Sequence, residues 1–437
     1  MHQEKKPWAL ILLPWLVFFI AESFYCFQYV LRVSISPMEH ALTSSLHINA
    51  VSLATIAASF YYAYMVMLFF SGMLIDTFGS RLMLTIATGL LTLGSFIFSL
   101  SSNFLFSELG RICMGAGASF SFVGVLTLAR KWFNEKTFSI INGLTMAIGT
   151  LGAILGTEAL HEVIRDYDDS WREVMLYMTI FSVVLTLLVA LSVKEPRLLF
   201  KPKPLTESNA LKQMLLSFKE AIQNRHVWIN GFFMAGTYLI LITFTILWCI
   251  PYFQQIYPQH PALIELFPSD VFIGMAIGSI VFSWLKNKIK KPEWILYSTS
   301  FINTVLTPLV LYTTPSSPYL IACYLFIIGT GIGSSVLCFV LVSQWSKPES
   351  IASCVAFTNL LSISGGAIML PIMAWVLEVE WYHEAFKRAG VYEIATYHDI
   401  FWFIIGGQIL ALILSLFLKS KPSSSVIATA TLRHSSQ

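Results

Sequence analysis

Long apolar runs separated by short polar breaks recur along the whole chain. Twelve can be bounded, at about residues 8–34, 51–75, 82–101, 104–129, 138–160, 174–193, 228–252, 269–285, 294–313, 318–343, 350–377 and 400–418. Each approaches the roughly 20 residues that an α-helix needs to cross hydrocarbon. An open strand edge in that medium leaves backbone groups unpaired, so the runs are predicted to be helices. The longest polar interruption, residues 194–227, holds Pro196, Pro202 and Pro204 and ends in an amphipathic stretch over 210–224. It divides the runs six and six. The pattern predicts an all-α membrane protein of twelve transmembrane helices in two pseudo-symmetric six-helix bundles. The first bundle would take residues 1–193, a central loop 194–227, the second bundle 228–418, and a tail 419–437. A charged hinge between equal hydropathic halves is what a duplicated transporter leaves in a sequence.

Composition narrows the class further. Of the 437 residues 56% are hydrophobic and 12% charged, about half the usual charged share of a soluble domain. That leaves too little charge to cover a water-facing surface. A net charge of +3 without a long basic run gives no footing for nucleic acid. The six cysteines all fall inside apolar runs without a C-x-x-C pair, and the nine histidines sit in loops, tails or span ends. No metal, no cofactor and no disulfide framework is expected. No clustered nucleophile and base appear near the membrane, so the chain does not read as an enzyme. The first run is too long for the apolar core of a signal peptide and lacks an A-x-A site, so no cleaved leader is expected.

Basic residues set the expected orientation. With twelve spans both termini share one side, and 21 of the 27 lysines and arginines fall there, five on the other side, and one, Arg111, within a span. Both termini and the central loop are therefore expected in the cytoplasm. A weak internal repeat supports duplication. Trp132 and Trp345 stand 213 residues apart, as do Gly152 and Gly365, and Gly115-Ala-Gly117 matches Gly329-Thr-Gly331 at an offset of 214.

Between spans two and three the chain reads Gly72-Met-Leu-Ile-Asp76-Thr-Phe-Gly79-Ser-Arg81. Gly72 permits close helix approach and Gly79 a tight turn. Asp76 can accept hydrogen bonds from a helix N-terminus across the interface, and Arg81 can hold that carboxylate or a neighbouring carbonyl. Together they would form a conformational latch. In the second half Phe282 and Ser283 stand where a matching acid would be, so no such latch is expected there. The segment resembles the G-x-x-x-D-x-x-G-x-[RK] motif of the major facilitator superfamily. Arg111-Ile-Cys-Met-Gly115-Ala-Gly117 resembles that family's R-x-x-x-G-x-G element, and Ser170-Trp171-Arg172 its G-W-R element before span six. In span five Gly149, Gly152 and Gly156 are present, but Ala153 replaces the proline of the drug–proton antiporters. Tyr29-Val-Leu-Arg32-Val-Ser34-Ile-Ser36-Pro37-Met38 resembles a signature of bacterial transporters related to phagosomal nutrient carriers. It is also similar to the D-R pair of organic-anion symporters, with Leu31 in place of the acid. Ala118 stands where those symporters carry a proton-coupling glutamate, so their coupling scheme does not transfer.

An ionisable side chain within a span costs about 2.5–3.5 kcal/mol on insertion scales unless it meets water or a partner. The candidates are Glu22 and Arg32 in span one, Glu108 and Arg111 in span four, and Glu158 at the outer end of span five. At about 100° per residue Glu22, Tyr25, Tyr29 and Arg32 share one face of span one. Glu22 reads as a proton or amine site, or as a structural hydrogen-bonding group. Arg32 reads as a ligand contact or as a side chain that snorkels to the outer headgroups, and Arg111 offers a bidentate site for a carboxylate or phosphate. Arg111 has the alternative role of pinning the span-one backbone, with Glu108 neutralising it. The second half contributes aromatics and amides, chiefly Tyr238, Trp248, Tyr324 and Asn359.

The resemblance and these residues together imply a secondary active transporter of a small anionic or zwitterionic solute, such as an amino acid or nucleoside. It would work by alternating access in a bacterial inner membrane, as a monomer coupled to protons. The alternatives are a siderophore or citrate-type polycarboxylate importer or exporter, and a nutrient sensor that binds without transporting.

Overall fold

The computed structural model describes residues 8–48, 50–156, 160, 163, 170–194, 207–289, 291–313, 315, 317–383 and 394–420. Glu158, the proline-bearing part of the central loop and the tail beyond 420 lie outside the described residues. Within them every regular element is helical. Twelve helices are long and apolar enough to cross a membrane: Leu12–Val33, Thr55–Phe78, Ser80–Ser99, Phe104–Trp132, Glu135–Ile154, Trp171–Ser192, Arg225–Ile246, Pro261–Lys286, Glu293–Tyr312, Pro318–Trp345, Pro348–Met369 and Ile394–Ser415. They are spans one to twelve. The end of the bundle that carries Arg81, Lys131 and Lys136 is termed the basic end.

Local chemistry fixes several helix starts. Asn103, Asn134 and Asn224 precede spans four, five and seven, and their side chains accept from the N–H groups of Phe106 (3.1 Å), Thr137 (3.0 Å) and His226 (3.0 Å). Each satisfies a donor that a helix N-terminus leaves unpaired. The turn between spans two and three passes through Gly79 at φ 87°, a conformation a Cβ would strain.

Three spans depart from the hydropathy reading. Span twelve begins at Ile394 rather than near 400. Tyr397, His398 and Asp399 lower the hydropathy of that turn, yet Tyr397 is buried with its ring 5.4 Å from Tyr252. Packing holds the turn helical. Span seven changes helix type, from α over Arg225–Leu239 to π over Ile240–Trp248, before an α-helix over Cys249–Ile256. Span ten is interrupted between Pro318–Gly333 and Val336–Trp345. There the Ser334 and Ser335 hydroxyls bond back to the carbonyls of Gly331 (2.8 Å) and Ile332 (2.7 Å). Such local bonds compete with a regular helical ladder.

The two halves repeat one another in detail. At the end of span four the Trp132 indole donates to the Lys194 carbonyl (2.9 Å), and at the end of span ten the Trp345 indole donates to the Lys419 carbonyl (2.9 Å). Each bond ties the fourth span of its half to the residues following the sixth. Spans four, seven and ten are the most buried, and span six the least.

The central loop contributes one further helix, Glu207–Gln223. It lies across the seam between spans two and eleven. The Phe218 ring packs 5.2 Å from Phe69, and the Ser217 hydroxyl donates to the Glu349 carbonyl (3.3 Å). Glu220 pairs with Lys347 (2.8 Å) and holds its ammonium above the usual lysine value.

Candidate functional site

The two first-half arginines do different work. Arg111, fully buried, donates from Nη1 to the Leu31 carbonyl (2.7 Å) and from Nη2 to the Arg32 carbonyl (3.1 Å). Its planar fork thus holds two successive carbonyls of span one while its face covers Phe60, 4.7 Å from the ring centre. Glu108 accepts instead from the Ser59 hydroxyl (3.1 Å). Arg32, half-buried, donates from Nη2 to Gln28 (3.1 Å), and its Nε is buried without a partner. Its guanidinium lies 4.4 Å from the Tyr64 ring and 4.5 Å from Tyr29, with Phe60 and Tyr61 at 5.6 and 6.0 Å. Among the described residues no carboxylate pairs with either arginine. Arg32 is therefore a cation in an aromatic cage, with donor capacity left over.

Deeper along span one, Glu22 is buried between spans one and five. Its Oε2 accepts from the Thr145 hydroxyl (2.9 Å), and its Oε1 has no partner. The next turn carries Tyr25, whose hydroxyl donates to that of Tyr29 (3.4 Å), with the two rings edge to face at 5.2 Å.

The second half meets this face near the midplane. The Tyr238 hydroxyl accepts from Ser335 (3.0 Å), the residue at the interruption of span ten, and lies within electrostatic range of Tyr29. The Tyr64 ring lies 4.4 Å from the Arg32 guanidinium, and Asn359 of span eleven lies within electrostatic range of its hydroxyl. Toward the basic end the Phe122 and Phe339 rings, 4.9 Å apart, close the space under the tyrosines. Two sequence candidates stand apart from this group. Trp248 closes the π-helical segment ten residues beyond Tyr238. Tyr324 is eleven residues, roughly 16 Å, along span ten from Ser335.

A second set of contacts joins the halves at the basic end. The Asp76 carboxylate accepts from the backbone N–H of Ala352 (3.1 Å) and of Ser353 (2.8 Å), and from the Ser353 hydroxyl (2.6 Å). These are the first donors of the span-eleven helix, where a carboxylate is favoured by orphan N–H groups and the helix dipole. Gly72 lets the spans approach, since a Cβ there would come within 2.5 Å of the Ala352 carbonyl. Arg81 turns away and donates to the Ala190 carbonyl of span six (2.9 Å). On the pseudo-symmetric seam Lys286 of span eight pairs with Glu135 of span five (3.1 Å), which also accepts from Gln344 (2.5 Å). The second half supplies the base there and the first half the acid, the reverse of the motif sought at Phe282 and Ser283. Farther in, Ser139 donates to the Ser283 carbonyl (3.0 Å), Ser279 to the Gly143 carbonyl (2.9 Å), and Asn142 to the Val336 carbonyl (2.8 Å). Among the described residues, the hydrogen bonds between the halves run inward from the basic end as far as Asn142 and Val336. That end is sealed.

Several of these groups escape a reading of the sequence alone. Phe60, Tyr61 and Tyr64 belong to an aromatic run, Ser-Phe-Tyr-Tyr-Ala-Tyr over 59–64, that equally suits a lipid-facing belt. Gln28 and Thr145 are single polar residues among many. Glu135 sits at a helix start, where an acid has an ordinary explanation.

Comparison with known proteins gives a consistent picture. The Major Facilitator Superfamily model matches residues 18–371. An uncharacterized transporter of Bacillus subtilis (strain 168), YybO, is 24% identical over 313 residues, covering 66% of this chain and 69% of that protein. Among solved structures, the transporter FucP in its outward conformation aligns with a TM-score of 0.66 and 15% identity, over 93% of this chain and 100% of its own. A variant of the E. coli fucose:proton symporter FucP aligns with a TM-score of 0.65 and 14% identity, over 92% and 100%. At these identities the structural likeness speaks to the fold.

Proposed function

Because the chain belongs to the major facilitator superfamily, we propose that this membrane transporter carries a small anionic or zwitterionic solute by proton-coupled alternating access. One observation carries the substrate class: Arg32 is a half-buried cation with a vacant donor and no carboxylate partner among the described residues. A carboxylate or phosphate entering the space between the halves would complete its hydrogen bonding in a charge-assisted pair. Arg111 sets the backbone from which Arg32 projects. Tyr29, Tyr64, Tyr238 and Asn359 offer hydroxyl and amide groups from both halves. Their separation on opening would give the solute different affinities in the two states, which coupling requires.

Glu22 is the proton carrier in this scheme. Its carboxyl has one hydroxyl partner and one vacant oxygen, and no other acid lies on the Tyr25–Arg32 face of span one. The basic end is cytoplasmic, an orientation supported by the 21 basic residues on that side. The conformation described is then outward-facing, with Asp76 and the Glu135–Lys286 pair as contacts that break when the cytoplasmic side opens. Uptake into proteoliposomes, competed by amino acids, nucleosides and citrate-type chelators, tests the reading. Anionic or zwitterionic solutes should compete, and Arg32→Gln should weaken their binding at least a hundredfold. Preferred competition by neutral or cationic solutes, or unchanged affinity in Arg32→Gln, would overturn it.

A further inference from the structure

The helix Glu207–Gln223 has a second face that none of the described residues covers. Leu215, Leu216 and Ile222 are 59%, 51% and 38% exposed, and Lys212 and Lys219 are exposed beside them. At 100° per residue these five side chains fall within an arc of roughly 120°. Neither lysine makes an ion pair among the described residues, and the acid of the same helix turn, Glu220, is occupied by Lys347. Large apolar side chains interleaved with unpaired lysines are what a helix lying in a membrane interface presents.

The placement of the helix fixes its depth. Its inner face reaches Phe69 through Phe218, and Phe69 lies seven residues from Asp76, roughly 10 Å inside the basic end of span two. Phe69 also meets Phe357 of span eleven (6.4 Å), which meets Trp228 of span seven (5.2 Å). The helix is thereby held beside the seam of spans two and eleven, at the level of the basic end. It also touches both halves, Phe69 in the first and Glu349 and Lys347 in the second.

We propose that Glu207–Gln223 is an interfacial strap whose partner is the anionic lipid surface, and that anionic headgroups bound at Lys212 and Lys219 favour the state closed at the basic end. Binding the strap to lipid holds Phe218 against Phe69, and with it the seam that Asp76 closes. The inference is independent of the solute carried.

Hydrogen exchange on the full chain in lipid nanodiscs tests it, comparing phosphatidylcholine alone with phosphatidylcholine containing phosphatidylglycerol. The anionic discs should slow exchange over 207–223 and at the Ala352 and Ser353 amides by roughly fivefold per lysine, equivalent to about 1 kcal/mol each. Lys212→Gln with Lys219→Gln should abolish that increment and leave the phosphatidylcholine baseline unchanged. Equal exchange of the wild-type protein in both lipids would overturn the proposal. Retention of the increment in the double variant would also overturn it, because the anionic lipid would then act elsewhere. Slowing confined to 207–223 would overturn the linkage to the seam.

Discussion

At the scale of single residues, the charges in the first half carry separable predictions. Glu22→Gln keeps an acceptor for Thr145 but removes the titrating proton. Accumulation driven by a pH gradient should be lost, while exchange of solute across the membrane persists. Wild-type pH dependence in that variant would remove Glu22 from the proton path. Arg111→Lys exchanges a two-pronged donor for a point charge, and at most one of the two backbone bonds survives. Hydrogen bonds to charged groups contribute about 1.5–3 kcal/mol, so the variant should unfold at lower temperature with or without solute. An unchanged Tm would show that the span-one carbonyls do not need it. Glu22, Arg32 and Arg111 could be picked out from the sequence because charge in an apolar run is costly and therefore rare. The aromatic cage of Arg32 could not, because aromatic side chains in spans have many lawful places. Only packing reveals that Tyr64 of span two and Tyr29 of span one face the same guanidinium.

At the scale of helices, the contact between spans two and eleven is the most specific. Asp76→Asn removes the charge that receives three donors of span eleven, and Gly72→Ala places a methyl against the Ala352 carbonyl. Either should raise the population open at the basic end about tenfold or more, since about 1.4 kcal/mol corresponds to a factor of ten. Distances by pulsed EPR between labels on the loops after spans two and eight would report it. An unaltered distance distribution would mean that other contacts set the equilibrium. The spans themselves could be read closely from hydropathy, which registers composition over a window. It is blind to hydrogen-bonding pattern, so the π-helical segment Ile240–Trp248 and the interruption at Ser334–Ser335 lie inside runs that read as uniform. The early start of span twelve was hidden for a related reason, because Tyr397 owes its burial to partners distant in sequence.

At the scale of the whole molecule, two separate seams hold the basic end shut, spans two with eleven and spans five with eight. Sites without shared partners usually contribute additively. Asp76→Asn combined with Glu135→Gln should therefore open that end by the product of the two single effects, measured by the same EPR distances. A double variant no more open than either single one would show that one seam governs both. The twofold plan itself could be suspected from the offset of Trp132 and Trp345, though those residues alone did not say why tryptophan is used. The reason is a matched bond to the chain emerging from the last span of each half.

The seam of spans five, eight and ten bears on how readily the molecule can turn over. Ser139, Asn142 and Ser279 bridge it by hydroxyl and amide bonds to backbone carbonyls, and each of these groups finds an equivalent partner in water. A wholly apolar seam would behave like a zipper greased shut, since every opening would wet hydrocarbon. This one is lined with groups that hydrate as they separate, which lowers the cost of opening it. A seam of that kind leaves a smaller barrier for a bound solute to overcome.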